Sequence, residues 1–269
     1  MSPRFFVEAP LASGDTLALP GPAARHVQVL RLQPGDAIRL FNGRVPSNAD
    51  GTSEREGEHH AVVTQMGRSD VQVLVGAWQA TQCEAPRAVH LAIGMPANER
   101  MDWLVEKAAE LGVASIQPLM SARSVLRLAG ERADKKRAHW ASVASAACEQ
   151  SGRSCVPLVH PPLSLTDWLR QLAKPDDDAG LHQARLLLSL QATSRPLADA
   201  VPAVGAVTFL SGPEGGLSPE EEAAALAQGF TRVTLGPRVL RADTAPLAAL
   251  ALLTLPGRAA CSRKPATGL

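Results

Sequence analysis

Tyrosine is absent from this 269-residue chain, and its aromatic rings are five Phe and four Trp, 3% in all. Stacking on a nucleobase would therefore fall to those rings, to the seven His or to the plane of an Arg. Charge of one sign is also lacking: 27 Lys and Arg against 26 Asp and Glu leave a formal +1. Nucleic acid could not be held by bulk charge, only by a local patch. Cys83, Cys148, Cys155 and Cys261 form no C-x-x-C pair and read as reduced cytosolic thiols. His59-His60 lies in a polar stretch away from Cys and outside any H-x-x-x-H helix pattern, so no metal site is expected. No run approaches eighteen apolar residues, and Met1-Ser2-Pro3-Arg4-Phe5-Phe6 has neither the apolar core nor the cleavage site of a secretion signal. The expectation is a cytoplasmic protein with no membrane segment.

Familiar catalytic signatures are missing too. The chain has no G-x-x-x-x-G-K-[ST] and no G-x-G-x-x-G, and Ser121, Ser124 and Ser151 lack a nucleophile-elbow setting. What is present has two textures. Residues 1–76 carry short β-like runs, Thr16–Leu19, Ala37–Phe41, Ala61–Val63 and Val71–Val75, with turn signals at Pro34-Gly35-Asp36 and Asn42-Gly43. This reads as a small β-barrel, with Ser47–His60 as a polar hairpin loop. Patterning lapses over 77–88, read as a linker. From Val89 onward strand and helix alternate: Val89–Met95, a helix from Met101 stopped by Gly112, Ile116–Leu119, and a helix around Trp140 that stops near Ser151-Gly152. Leu186–Leu190, Val207–Leu210 and Val233–Leu235 continue the strands, with helices beginning near Pro219 and Pro246. The fold class is α/β, a parallel sheet flanked by helices over 89–269, with Lys174–Gly180 a solvated loop.

Two strand-to-glycine junctions stand out. The apolar run Val207–Leu210 enters Leu210-Ser-Gly-Pro-Glu-Gly-Gly216, and Ser218-Pro219-Glu220-Glu221 then supplies an N-cap serine, a first-turn proline and a capping-box glutamate. The second junction is Leu235-Gly-Pro-Arg-Val-Leu-Arg-Ala-Asp-Thr-Ala245. Both fall at carboxyl ends of strands, where open α/β sheets bind ligands, so the two loops could wall one pocket. Glycine spacing alone leaves a ligand loop and a tight turn equally open.

These two segments resemble the signature motifs of the RsmE family, the small-subunit (16S) ribosomal RNA uridine-N3 methyltransferases of the SPOUT superfamily. Pro3-Arg-Phe-Phe-Val7, Met101-Asp-Trp-Leu-Val-Glu-Lys-Ala-Ala-Glu-Leu-Gly-Val113, Ser121-Ala-Arg-Ser-Val125 and Ala147-Cys-Glu-Gln-Ser-Gly-Arg153 are similar to further family segments in the family's order. The resemblance implies a PUA-like RNA-binding barrel over 1–76 and a SPOUT domain with a trefoil knot, acting as a homodimer on ribosomal RNA of the small subunit. It further implies that S-adenosylmethionine sits among Leu188, Leu190 and Gln191, the turn Ser211, Gly212, Pro213, Gly215 and Gly216, and the loop Leu235, Gly236, Arg238, Val239 and Leu240, with Thr244 and Ala245 beyond. Two positions depart from the family pattern: Asp243 stands where glutamate is usual, and Pro246 is atypical.

Uracil N3 has a pKa of roughly 9, so losing its proton at pH 7 costs about 3 kcal/mol. Arg241, or Arg238, could offer a guanidinium to the carbonyl oxygens where charge builds up, while Glu214 or Asp243 accepts the proton. Other roles stand beside these: Glu214 as helix-capping charge, Arg241 as an ion-pair partner of Asp243, and Asp243 with Thr244 as the start of the last helix. For RNA the candidates are Arg4, Arg25, His26, Arg31 and Arg44, with Lys107, Arg123 and Arg153 in the C-terminal part. Arg132, Lys135, Lys136 and Arg137 read as a solvated helix face, and Met101, Trp103, Leu104 and Trp140 as core or dimer contacts. Two other functions remain open from sequence: a SPOUT enzyme with another RNA target, and a catalytically silent RNA-binding assembly factor.

Overall fold

The computed structural model describes residues 2–43, 57–68, 70–172 and 183–255. Arg44, most of the expected hairpin loop, the Lys174–Gly180 loop and Cys261 lie outside them. The chain divides into two compact units.

The first unit takes in residues 1–84 and also 145–156. Its strands are β1 (Arg4–Phe6), β2 (Thr16–Ala18), β3 (Ala37–Phe41), β4 (Gly57–Met66) and β5 (Val71–Ala80), with helix α1 (Gly21–Val29) after β2. They form a five-stranded sheet in the order β1-β3-β4-β5-β2, parallel between β1 and β3 and antiparallel elsewhere. Alternate residues Ile38 and Leu40, Ala61 and Val63, and Val71, Val73 and Val75 turn to one face and close on Ala23, Ala24 and Val27 of α1.

Three features differ from expectation. Helix α1 was not foreseen, because nine residues with Pro22 in the first turn bury only three side chains. His59-His60 belongs to β4, not to a loop. Strand β5 runs on through Ala77–Ala80, inside the stretch read as linker; those four residues are exposed, so no alternation marks them as strand.

An ionic cluster around the buried Glu58 braces this unit. Arg4 pairs with Glu58 at 2.7 Å, donates to the carbonyls of Cys148 (2.7 Å) and Arg153 (2.9 Å), and lies over the Phe41 ring. Arg39 also pairs with Glu58. Burial pushes the Glu58 carboxyl up, but the hydrogen bonds and charges of the two arginines outweigh it and hold the group below its ordinary value.

The second unit covers 85–144 and 157–257. Its elements are β6 (Val89–Gly94), α2 (Asn98–Glu110), β7 (Ser115–Met120), α3 (Gly130–Ser151), whose last residues belong to the first unit, β8 (Leu158–Val159), β9 (Leu163–Ser164), α4 (Leu165–Gln171), β10 (Ala184–Leu188), β11 (Arg195–Pro196), α5 (Leu197–Ala200), β12 (Val207–Ser211), α6 (Pro219–Ala227), β13 (Thr231–Thr234) and α7 (Thr244–Thr254). Every pairing in its sheet is parallel, in the order β11-β13-β10-β12-β6-β7-β8, with β9 beside β7. Strand β12 is buried at all five residues, as suits a parallel strand covered on both faces. Gly112 and Gly152, at φ +89° each, follow α2 and α3 as the sequence expects.

Candidate active site

Strand β10 pairs with β12 on one side and β13 on the other, so the carboxyl ends of the three strands stand side by side. The loops leaving them surround a cavity of about 500 Å³, within the range that takes a small organic ligand. Both glycine motifs thus reach one pocket.

The turn after β12 is made of backbone at close quarters. A Cβ on Gly212 would lie 2.8 Å from Gly216 C and from Leu217 N, and one on Gly94 would lie 2.5 Å from Pro213 Cδ. Gly216 adopts φ +69°, and its N–H donates to Pro213 O at 2.8 Å. The turn ends in the capping box the sequence spells: Ser218 Oγ accepts Glu221 N–H at 3.2 Å, and Glu221 Oε2 accepts Ser218 N–H at 2.9 Å.

The loop after β13 presents side chains instead. Arg238, Val239 and Arg241 are exposed and line the cavity, and neither arginine has an ion-pair partner among the described residues. Glu214 also lines it. Its Oε1 accepts Ala97 N–H at 3.3 Å and lies 3.8 Å from Arg100 Nη1. Its charge therefore serves the start of α2 and not the helix that follows it in sequence.

Leu188, Leu190, Gln191, Ser211, Gly212, Pro213, Gly215, Gly216, Leu235, Leu240 and Ala245 all face the cavity; Gly236 and Thr244 do not. Asp243 requires a correction. It is buried at the start of α7, within 3.5 Å of its neighbour Thr244 Oγ1, and does not face the cavity, which leaves Glu214 as the carboxylate of that pair on the pocket wall. Sequence reading missed Arg100 and Glu222. Glu222 accepts Ser189 Oγ at 3.3 Å and Arg232 Nε at 2.9 Å while lining the cavity. In sequence it is one of three successive glutamates at a helix start, with nothing to distinguish it.

The RNA candidates scatter. Arg4 and Arg153 are not free surface cations: Arg4 is half-buried and paired with Glu58 at 2.7 Å, and Arg153 is buried and paired with Glu84 at 2.6 Å, both inside the first unit. His26 lies 3.3 Å from Glu149, and its ring meets Phe5 edge-on. Lys107 bridges Glu106 and Glu110 at 2.7 Å each, and those hydrogen bonds hold its ammonium above the usual range. Arg123 donates to Gly215 O. Arg25 and Arg31 are exposed, and Arg31 takes φ +56° beyond α1.

Among the described residues no group of three or more His, Cys, Asp or Glu could hold a metal ion, and no helix is long and apolar enough to cross a membrane.

A family profile described as RNA methyltransferase domain matches residues 83–254, and one described as RNA methyltransferase PUA domain matches 19–45. Ribosomal RNA small subunit methyltransferase E of Mycobacterium bovis is 33% identical over 248 residues, 91% of this chain and 88% of that protein. Its namesake in Bacillus subtilis is 29% identical over 255 residues, covering 93% and 95%. A crystal structure of ribosomal RNA small subunit methyltransferase E from Neisseria gonorrhoeae bound to S-adenosyl methionine superposes with a TM-score of 0.82 at 36% identity, covering 94% of this chain and 96% of the other. A putative methyltransferase of Legionella pneumophila in complex with the same cofactor gives a TM-score of 0.82 at 31% identity, covering 94% and 97%. With the glycine turn, the facing arginine loop and the PUA-like unit all in place, the chain belongs to the ribosomal RNA small subunit methyltransferase E family of RNA methyltransferases.

Proposed function

We propose that this protein binds S-adenosylmethionine in the cavity between the loops after β10, β12 and β13 and methylates N3 of a uridine in 16S ribosomal RNA of the small subunit. The observation that carries this reading is the cavity itself: about 500 Å³, walled by Leu188–Gln191, Ser211–Leu217, Leu235 and Arg238–Ala242. Backbone amides and carbonyls there can read a purine, and the apolar Leu188, Leu190, Leu235 and Leu240 can cover it. Close backbone packing at Gly212, where a Cβ would meet Gly216 C and Leu217 N at 2.8 Å, fixes the shape of the turn that forms this wall.

When bound, S-adenosylmethionine supplies an activated methyl on a sulfonium whose charge disappears in the transfer. The protein's own task is to hold the uracil in line and manage its N3 proton. Arg241, exposed at the cavity and without an ion-pair partner among the described residues, directs its guanidinium at the carbonyl oxygens that gain charge. Glu214 takes the proton, directly or through water, while Ala97 N–H and Arg100 orient its carboxylate.

The homodimer and the trefoil knot belong to the same reading. Helix α7 is apolar on all sides, yet Leu252 and Leu255 are 57% and 64% exposed, and Leu190 at the cavity rim is 70% exposed. A second copy would cover such side chains. The absence of a membrane-crossing helix among the described residues agrees with a cytoplasmic enzyme. The deciding experiment maps the methylated nucleotide in ribosomal RNA from a deletion strain with and without the gene restored. Loss of N3-methyluridine from small-subunit RNA, regained on restoration, is expected; an intact modification overturns the target. In vitro, methyl transfer by Arg241→Ala and Glu214→Gln assigns the roles, and near-normal rates in both remove them.

A further inference from the structure

The loop after β7, Ser121–Ser124, engages the glycine turn from outside the cavity lining. Ala122 N–H donates to Glu221 Oε1 at 2.6 Å, so the capping glutamate spends its second oxygen on this loop. Arg123 Nη1 donates to Gly215 O at 2.7 Å. The arginine stem packs on the same residue: a Cβ at Gly215 would lie 3.1 Å from Arg123 Cβ and 3.3 Å from its Cδ. The loop is itself braced, because Ser124 Oγ accepts Ser121 N–H at 3.0 Å and the two buried hydroxyls meet at 3.1 Å.

The consequence falls on one peptide plane. Between Gly215 and Gly216 the carbonyl is taken by Arg123 and the N–H by Pro213 O. A peptide between two glycines is the least hindered in the chain to flip, since neither flank carries a Cβ. Flipping it would reverse a dipole in the wall of the cavity that both residues line. We propose that Arg123 is a positioning residue of the methyl-donor cavity, pinning the Gly215–Gly216 peptide so that the pocket is preorganised before the donor arrives. This rests on the donor reading above, and it replaces RNA contact as the role of Arg123.

The test measures S-adenosylmethionine affinity calorimetrically with no RNA present, in wild type, Arg123→Met and Arg123→Lys. Met keeps the stem and removes the donor; Lys restores a single N–H donor. Losing a charge-assisted hydrogen bond that orders a binding loop is expected to weaken donor binding about tenfold in Arg123→Met, equivalent to about 1.4 kcal/mol, with Lys recovering part of it. The donor KM should rise in step while kcat at saturation stays within about twofold and Tm within about 2 °C, a split that loss of folding would not produce. Unchanged donor affinity in Arg123→Met overturns the inference, and a raised RNA KM with a shallower salt dependence would then make Arg123 an RNA contact. Wild-type protein that fails to bind the donor overturns the donor reading instead, and this inference with it.

Discussion

The two walls of the cavity are built on opposite principles. The turn after β12 is fixed at nearly every atom: glycines packed below ordinary Cβ distances, the Gly216 to Pro213 bond, a capping box, and hydrogen bonds from Ala97, Ala122 and Arg123. The loop after β13 has few such ties. Thr234 Oγ1 donates to Gly236 O at 3.1 Å and accepts Gly236 N–H at 3.3 Å, and beyond that Arg238, Val239 and Arg241 stand exposed, Val239 by 76%. A preorganised backbone wall suits recognition of a constant cofactor. An arginine-bearing wall suits a step in which charge appears on the substrate. The division is not complete, since Glu214 stands on the packed wall and Leu235 and Leu240 on the other, but the two walls can be broken one at a time.

The largest effect is expected on the packed wall. Gly94→Ala places a Cβ 2.5 Å from Pro213 Cδ and 2.6 Å from its backbone N, with no flexible side-chain end to yield. Overpacking of this kind costs about 1–3 kcal/mol, and here it displaces the turn directly. Calorimetry should show donor affinity falling by more than about tenfold, with a lower Tm; unchanged affinity would mean that the turn does not shape the site. On the other wall, Arg241→Ala should lower kcat by about 100-fold, the scale of one lost donor to a developing oxyanion. Donor affinity should stay within about threefold, since no backbone moves. A variant that loses donor binding and keeps kcat would merge the two walls into one function.

Much of the packed wall was legible in the sequence. Ser218-Pro219-Glu220-Glu221 spells its capping box, and the strand ending at Ser211 shows as a β-branched apolar run, because both are local rules of propensity and hydrogen bonding. What reached the turn from elsewhere was not. Arg100, Ala97 and Arg123 lie about ninety to over a hundred residues from it, and they arrive there because β12 pairs with β6, and β6 with β7. Non-local pairing leaves no periodic trace in the chain. Asp243 was misjudged for a related reason: adjacency to Arg241 says nothing about which side of the α7 start faces the cavity. Arg4 and Arg153 likewise looked like surface cations, since a buried ion pair becomes visible only when Glu58 and Glu84 are folded against them.

Smaller effects should follow where each wall is tied down. Glu221→Ala removes the Ser218 N–H to Glu221 half of the capping box and the bond to Ala122 together, while Ser218 Oγ keeps the N–H of residue 221; losing the two acceptor bonds costs about 1–2 kcal/mol, or about 2–4 °C in Tm for each kcal/mol in a domain of this size. A ligand at about 100 times its Kd adds about 2.7 kcal/mol to wild type and variant alike, so the gap in Tm should persist with S-adenosylmethionine if donor affinity is unchanged and widen, at equal donor concentration, if it is weakened.

The smallest effect belongs to Thr234→Ala. It deletes the hydroxyl that both donates to and accepts from Gly236, which sits at φ +114°. These bonds are solvent-exposed, so their net worth is about 0.5–1 kcal/mol and Tm should barely move. If the second wall acts through arginines on a loosely held loop, its effect should appear as a kcat reduced by about two- to fivefold, with donor affinity unchanged. If the loop were instead as rigidly preorganised as the glycine turn, the donor Kd would move and kcat would not. A single threonine therefore distinguishes a wall that acts from a wall that holds.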